Sequence, residues 1–321
     1  MATPALRSIR LLVLLLIALA APFAFYPIFL MKALCFALFA CAFNLLIGYG
    51  GLLSFGHAAF MGSASYITAY TVKMWGFPPL LGILAGTAVA AAMGTVFGWL
   101  AIRRKGIYFA MVTLALSQMV YFFALEVKFT GGEDGIQAVP RGTLFGLIDL
   151  NQPLAMYYFV LTIFLVGFGI VYRTIHSPFG EVLKAIRDNE PRAISLGYNT
   201  DRYKLLAFIL SATLAGLAGA TKSLVFQLAS LTDVTWQMSG DVVLMTLIGG
   251  LGTIWGPVAG AFISVTMENY LAQLGSWVTV IQGVIFVVCV LLFRRGVVGE
   301  LSYRLSRWRG GVRLAKPASG D

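Results

Sequence analysis

Apolar residues occur in blocks separated by short clusters of charge, proline or glycine, at 11 to 30, 31 to 48, 57 to 74, 78 to 101, 106 to 126, 153 to 172, 204 to 227, 236 to 252, 254 to 273 and 276 to 293. Crossing a hydrocarbon core about 30 Å thick takes roughly 20 helical residues, whereas a membrane strand needs only about ten residues of alternating polarity. The block lengths therefore predict helices. The expected fold is an all-α polytopic membrane protein with about ten transmembrane or re-entrant helices. Arg7 and Arg10 ahead of the first block resemble the start of a signal peptide. The apolar run is longer than the usual stretch of about 7–15 residues, shows no clear cleavage site and leads straight into the next block, so it reads as an uncleaved first helix.

Composition removes the soluble alternatives. Of the 321 residues, 59% are hydrophobic and 11% charged, against about 45–50% and about 25% in soluble proteins. The net charge of +10 sits in the short loops rather than on one polar face, so it marks topology and not a nucleic-acid surface. Eighteen of the 23 Lys and Arg, among them Arg103, Arg104, Lys105, Lys184, Arg187 and Arg192, lie on the side of the two termini. Lys32, Lys73, Lys128, Arg141 and Lys222 lie on the other side or at its membrane edge. Both termini are expected in the cytoplasm of a bacterial inner membrane protein. That parity depends on whether 236 to 252 crosses or re-enters. The membrane domain spans 1–293, with an external loop at 127–152, a cytoplasmic loop at 173–203 and a basic cytoplasmic tail at 294–321.

None of the three polar stretches can hold a catalytic domain, and no GxxxxGK[ST] phosphate loop occurs. Nucleotide-driven work would have to come from a partner. Cys35, Cys41 and Cys289 lie within apolar blocks without metal-type spacing, and are expected to be reduced structural thiols. No metal site is expected.

The most informative stretch is Ser177 to Glu190. Ser177 is placed to cap a helix with Pro178 at its first position, where the missing N–H costs nothing. Phe179, Val182, Leu183 and Ile186 recur at helical spacing and leave Glu181, Lys184, Arg187 and Asp188 on the other face. Pro191 ends or restarts this helix, a second short turn runs to Gly197, and Asn199 or Thr200 caps the next span. Two short helices in one loop make a compact projection. Either it lies on lipid, or it docks a cytoplasmic partner; the mixed charge of its polar face favours docking.

The run Leu183-Lys184-Ala185-Ile186-Arg187-Asp188-Asn189-Glu190, with Ser195-Leu196-Gly197-Tyr198 and Tyr203-Lys204-Leu205-Leu206-Ala207-Phe208 after it, resembles the coupling loop of the LivM-like branched-chain amino acid ABC permeases. Asn44 to His57, Thr130 to Ile136 and Gly249 to Pro257 resemble the same family, so the likeness covers nearly all of residues 31 to 300. The resemblance implies a loop that inserts into a cleft of an ATPase subunit, with Glu190, Pro191, Arg192 and Gly197 at the positions of its Glu-Ala-Ala and glycine pattern. Pro191 and Arg192 depart from Ala-Ala. Together with the polar face of the loop's first helix, the resemblance makes Glu181, Lys184, Ala185, Arg187, Asp188, Glu190 and Gly197 the expected ATPase-coupling residues. It also implies a second homologous permease subunit, two cytoplasmic ATPase subunits that bind ATP and Mg, and a periplasmic substrate-binding protein. This chain would carry no cofactor and hydrolyse nothing itself. Its cargo would be leucine, isoleucine and valine, with urea, short amides or other amino acids as the alternative.

Gly48-Tyr49-Gly50-Gly51 and Ser54-Phe55-Gly56 should interrupt a helix within the apolar depth, where broken backbone survives only against protein or water. Asn44, Tyr49, Ser54 and His57 around this break either line a translocation path or pack helices, and a lone His in a span more often bonds a neighbouring helix. Leu247-Ile248-Gly249-Gly250 echoes Leu46-Ile47-Gly48. Lys222 and Glu268 near span ends read as snorkelling side chains, and Ala212, Ala215, Gly216, Gly219 and Ala220 as a helix-packing face. Glu133 and Asp134, set among external glycines, either receive the binding protein or form a solvated turn. An ion-coupled transporter would want ionisable pairs at mid-bilayer, of which the spans offer few. A membrane enzyme would want a convergent acid, base, nucleophile or metal set, and the sequence offers none.

Overall fold

In a computed structural model, residues 16–144, 146, 148–271, 277–292 and 296–300 are described. Helix α1 covers 16–24, and α2 follows at Pro27–Asn44, continued by a π-helical turn at Leu45–Tyr49. Then come α3 (His57–Met74), α4 (Pro79–Ala101), α5 (Ile107–Glu126), α6 (Pro153–Ile175), α7 (Pro178–Asp188), α8 (Glu190–Ser195) and α9 (Thr200–Phe226). Then follow α10 (Trp236–Gly249), α11 (Gly256–Leu271) and α12 (Trp277–Leu292), and residues 296–300 are again helical.

Five of these helices are long and apolar enough to cross a membrane: Pro27–Tyr49, Pro79–Ala101, Ile107–Glu126, Pro153–Ile175 and Thr200–Phe226. Helix α3, with 18 residues, is less apolar, and α10, α11 and α12 have 14, 16 and 16 residues. The expected boundary at 30 moves: α1 stops at 24 because Pro27 opens a new helix, its fixed φ suiting the first position and its missing N–H barring continuation. Residues 11–15 of that first span lie outside the described residues, as do 1–10 and 301–321 with most of the tail. The span expected from 204 begins at Thr200, and Asn199 is its cap, accepting the Arg202 N–H at 3.2 Å.

Among the described residues, two antiparallel strand pairs supplement the helices. Ile136 and Gln137 (β1) pair with Ala229 and Leu228 (β4), and Thr143 and Leu144 (β2) with Asp149 and Ile148 (β3). With Arg141 donating to the carbonyls of Leu224 and Val225, and Lys73 of α3 to that of Gln137, the 127–152 segment is fastened onto the ends of α9 and α3.

Helix α9 forms the centre, against α2, α3 and α4. Its small residues make this approach possible. A Cβ on Gly219 would stand 2.0 Å from the Met61 carbonyl oxygen, and one on Gly216 2.2 Å from the Ala90 Cβ. The packing face expected over Ala212 to Ala220 is thus occupied by α3 and α4. Cys35 and Cys41 are buried free thiols on α2, and the Cys289 side chain lies outside the described residues.

Helices α2 and α11 run antiparallel, which defines two ends of the bundle. At one end Lys32 Nζ meets Glu268 Oε2 at 2.8 Å; at the other Asn44 Nδ2 donates to the Thr253 carbonyl at 2.9 Å. The 173–203 segment and its cations gather at the second, basic end. The 127–152 segment and the Lys222–Asp233 pair lie at the opposite end. Helix α10 starts beside Asp233 and finishes at Gly249 near the Asn44 clamp, so it runs between the same two ends.

Candidate functional site

The expected pair of helices projects at the basic end. Ser177 Oγ accepts the Gly180 N–H at 3.4 Å with Pro178 in the first turn, and the α7 face Leu183 and Ile186 is buried. Phe179 stacks on Tyr203 of α9 at 5.5 Å between centroids. Asn189 ends α7 and caps α8, its Oδ1 accepting the Arg192 N–H at 3.1 Å. Gly197 terminates α8 at φ 88°, its N–H bonded to the Ile194 carbonyl and that of Tyr198 to Ala193. That double bond is a Schellman cap, which the absent Cβ of Gly197 allows.

The charged residues of this projection divide into two groups. Glu190 turns inward, bound by Lys204 Nζ at 2.6 Å, by Lys105 Nζ at 3.2 Å and by the Thr200 hydroxyl at 3.4 Å. Burial pushes its carboxyl towards the neutral form, but the hydrogen bonds and charges of Lys204 and Lys105 outweigh this and hold it below the ordinary carboxylate range. Glu181 and Asp188 remain exposed, paired respectively with Lys184 at 2.7 Å and Arg187 at 2.8 Å, and Ala185 is exposed between them.

Arg187 also reaches into the bundle. Its Nη1 donates to the Gly48 carbonyl at 2.5 Å. Gly48 lies in the π-helical turn, after which Gly51 at φ 70° leads into a non-helical stretch before α3 begins at His57. The interruption expected from the glycines is present. Its Gly48 end lies beneath α7 at the basic end, and its far end packs on α5, where Thr113 Oγ1 accepts the Phe55 N–H at 3.2 Å. Its late echo is its neighbour: Asn44 Oδ1 accepts the Gly252 N–H at 3.0 Å, and a Cβ on Gly48 would come within 2.6 Å of the Gly252 nitrogen. Tyr49, Lys184, Arg187, Thr253 and Trp255 border a cavity of about 490 Å³ at this junction.

The four residues singled out near the break therefore occupy different positions. Tyr49 borders the cavity, with Lys184 Nζ 5.8 Å from its ring centre. Asn44 clamps the late glycine segment. Ser54 is buried and its Oγ accepts the Gly56 N–H at 3.2 Å. His57 is buried too: Nε2 is 2.8 Å from Ser211 Oγ on α9, and Phe43, Phe60 and Phe208 surround the ring. It ties α3 to α9.

At the opposite end Glu133 and Asp134 are exposed in a 3₁₀ turn flanked by Gly131 at φ 80° and Gly135 at φ 68°. Snorkelling does not describe Lys222 and Glu268. Lys222 pairs with Asp233 and Glu268 with Lys32, because neighbouring helices bring counter-charges that a single-span reading cannot see.

Helix α8 and its cap carry a second surface on the projection. Ile194, Leu196 and Tyr198 are 52%, 69% and 41% exposed, an apolar group on a projection otherwise lined with charge. The sequence contained this signal as three large apolar residues on a short polar loop.

Comparison with known proteins fits this architecture. A family model described as "Branched-chain amino acid transport system / permease component" matches residues 26–290. The chain belongs to that family of membrane permease components. It is similar to the high-affinity branched-chain amino acid transport permeases LivM of Salmonella typhimurium LT2 and Escherichia coli K12, 26% identical to each over 79% of this chain and 65% of theirs. The chain thus spans about two thirds of the length of those relatives. It is also similar to the ribose import permease RbsC of Bacillus subtilis, 27% identical over 68% of this chain and 70% of that protein. No solved structure gives a significant match.

Proposed function

We propose that this chain is the membrane-spanning subunit of an ABC importer that moves leucine, isoleucine and valine into the bacterial cytoplasm. The basic end faces the cytoplasm, both termini are on that side, and ten helices cross the inner membrane, α10 among them. Two ATPase subunits, which bind ATP and Mg, receive the α7–α8 projection. Glu181, Lys184, Ala185, Asp188 and the exposed Ile194, Leu196 and Tyr198 are the surface offered to them. Glu190 and Gly197 hold its shape. A second homologous permease completes the conduit, and a periplasmic binding protein delivers cargo at the end bearing Glu133 and Asp134.

The observation that carries this reading is the Arg187–Gly48 bond. A displacement of α7 by a partner is passed directly to the broken helix at Gly48 and, through Asn44, to the segment at Gly252. Tyr49 and Asn44 are the members of the early glycine motif placed to respond. The preference for branched-chain amino acids over sugars rests on the family description and on similarity to LivM, since RbsC lies within reach of the same sequence.

Reconstitution into proteoliposomes with the partner ATPases and binding protein tests it. ATP-dependent accumulation of leucine, absent when the ATPases are omitted, is the expected result. Uptake by this chain alone driven by an ion gradient, or ATP-driven import of ribose or urea but not leucine, would overturn the reading.

A further inference from the structure

The two ion pairs at the end opposite the projection border one cavity of about 320 Å³, lined also by Phe36, Phe226 and Met238. That volume is at the lower edge of the range of about 300–1,000 Å³ for small-molecule sites. Lys32 Nζ is 5.9 Å and Lys222 Nζ 5.6 Å from the centre of the same Phe36 ring, so both ammonium groups lie against one aromatic side chain. Lys222 also lies 5.9 Å from the Phe226 ring centre. Glu268 and Asp233 complete the pairs, and the four lining charges cancel. Asp241 of α10 repels Glu268 without lining the cavity.

We infer that this cavity binds a net-neutral, zwitterionic α-amino acid with an apolar side chain. The assignment rests on the importer reading above and deepens it. Removing one partner from a partly buried ion pair strands the other charge, which is costly. A zwitterion avoids this by exchanging partners: its carboxylate takes a lysine, its ammonium takes Asp233 or Glu268, and every charge is matched again. A ligand with only a carboxylate or only an amine re-pairs half the set. A sugar re-pairs none. The apolar side chain then rests on Phe36, Phe226 and Met238, where burial from water is favourable. The site therefore selects by negative as well as positive means, since the wrong ligand leaves buried charge unpaired.

The test uses the full-length chain assembled with its partner subunits in nanodiscs, without ATP and with [³H]leucine as the probe. The expected result is saturable retention displaced by unlabelled leucine, with leucinamide, 4-methylpentanoate and ribose each at least tenfold weaker. The double variant Lys222→Met/Asp233→Asn removes a whole pair without stranding a charge and is expected to lower leucine affinity at least tenfold. The swap Lys32→Glu/Glu268→Lys keeps a pair but exchanges its poles, and is also expected to weaken binding. Size-exclusion elution of each assembled complex controls for folding. Wild-type affinity in either assembled variant, equal competition by leucinamide, or no retention by a complex that still imports leucine would overturn the assignment while leaving the importer reading intact. ATP-driven import of ribose or urea without leucine would instead remove the importer reading itself.

Discussion

Arg187 and Gly48 are 139 residues apart in the chain, yet the guanidinium Nη1 donates to the glycine carbonyl at 2.5 Å. The same side chain covers Gly51, where an added Cβ would stand 2.8 Å from the Arg187 Cγ. One residue of the amphipathic helix thus holds both sides of a helix break. A hydrogen bond to a charged donor contributes about 1.5–3 kcal/mol when buried and nearer 1 kcal/mol when partly exposed, as here. Arg187→Ala is therefore expected to raise amide exchange across 48–56 about fivefold. Hydrogen-exchange mass spectrometry of the purified protein reads this directly, and unchanged protection would detach α7 from the break.

Asn44 joins the two glycine segments through Gly252 N–H and the Thr253 carbonyl. Asn44→Ala leaves both backbone groups unpaired and is expected to cost roughly 1–3 kcal/mol. Gly48→Ala should cost at least as much, because its Cβ would sit 2.3 Å from Asn44 Oδ1 and force the clamp open. Thermal unfolding in one detergent ranks the two against the parent.

Helices α9 and α10 offer a contrast within one residue type. Gly219→Ala drives a methyl group towards the Met61 carbonyl, and overpacking of this kind costs about 1–3 kcal/mol. Gly240→Ala on α10 meets nothing within 4 Å and removes a poor helix former, so it is expected to stabilise by up to about 1 kcal/mol. Opposite shifts in the same unfolding assay are the expected outcome.

Glu190 gives the projection a pH dependence. Its carboxyl titrates below the ordinary value of 4.5, despite burial, because Lys204 and Lys105 favour the charged form. Its contribution to the fold is therefore complete above about pH 4.5 and fades as pH falls through the lower folded value. Limited proteolysis of 173–203 should show protection at neutral pH that is lost in acid. Glu190→Gln should be cut readily at neutral pH, with little further change on acidification.

How much of this was legible in the sequence follows from how local each feature is. Ser177, Pro178 and Gly197 act within a turn or two of themselves, so the α7–α8 pair and its caps could be read from residue order. The interruption at Gly48 was legible for the same reason. That Gly252 lies against it was not, since the contact closes across about two hundred residues and depends on how α2 and α11 pack. Lys222 and Glu268 resembled solitary charges at span ends because Asp233 sits beyond the α9 terminus and Lys32 on another helix. The β1–β4 pairing, two residues a side, carries no pattern a sequence could announce. The His57–Ser211 contact closes across 154 residues, which no local pattern announces.

The central claim is that force applied to α7 reaches the break through Arg187. Leucine imported per ATP hydrolysed, measured in proteoliposomes holding the full complex, tests it most directly. The account predicts that Arg187→Met lowers this ratio at least tenfold, and that Arg187→Lys, which keeps the charge and one donor towards Gly48, lowers it less. An Arg187→Met complex that imports leucine at the parent ratio would contradict it.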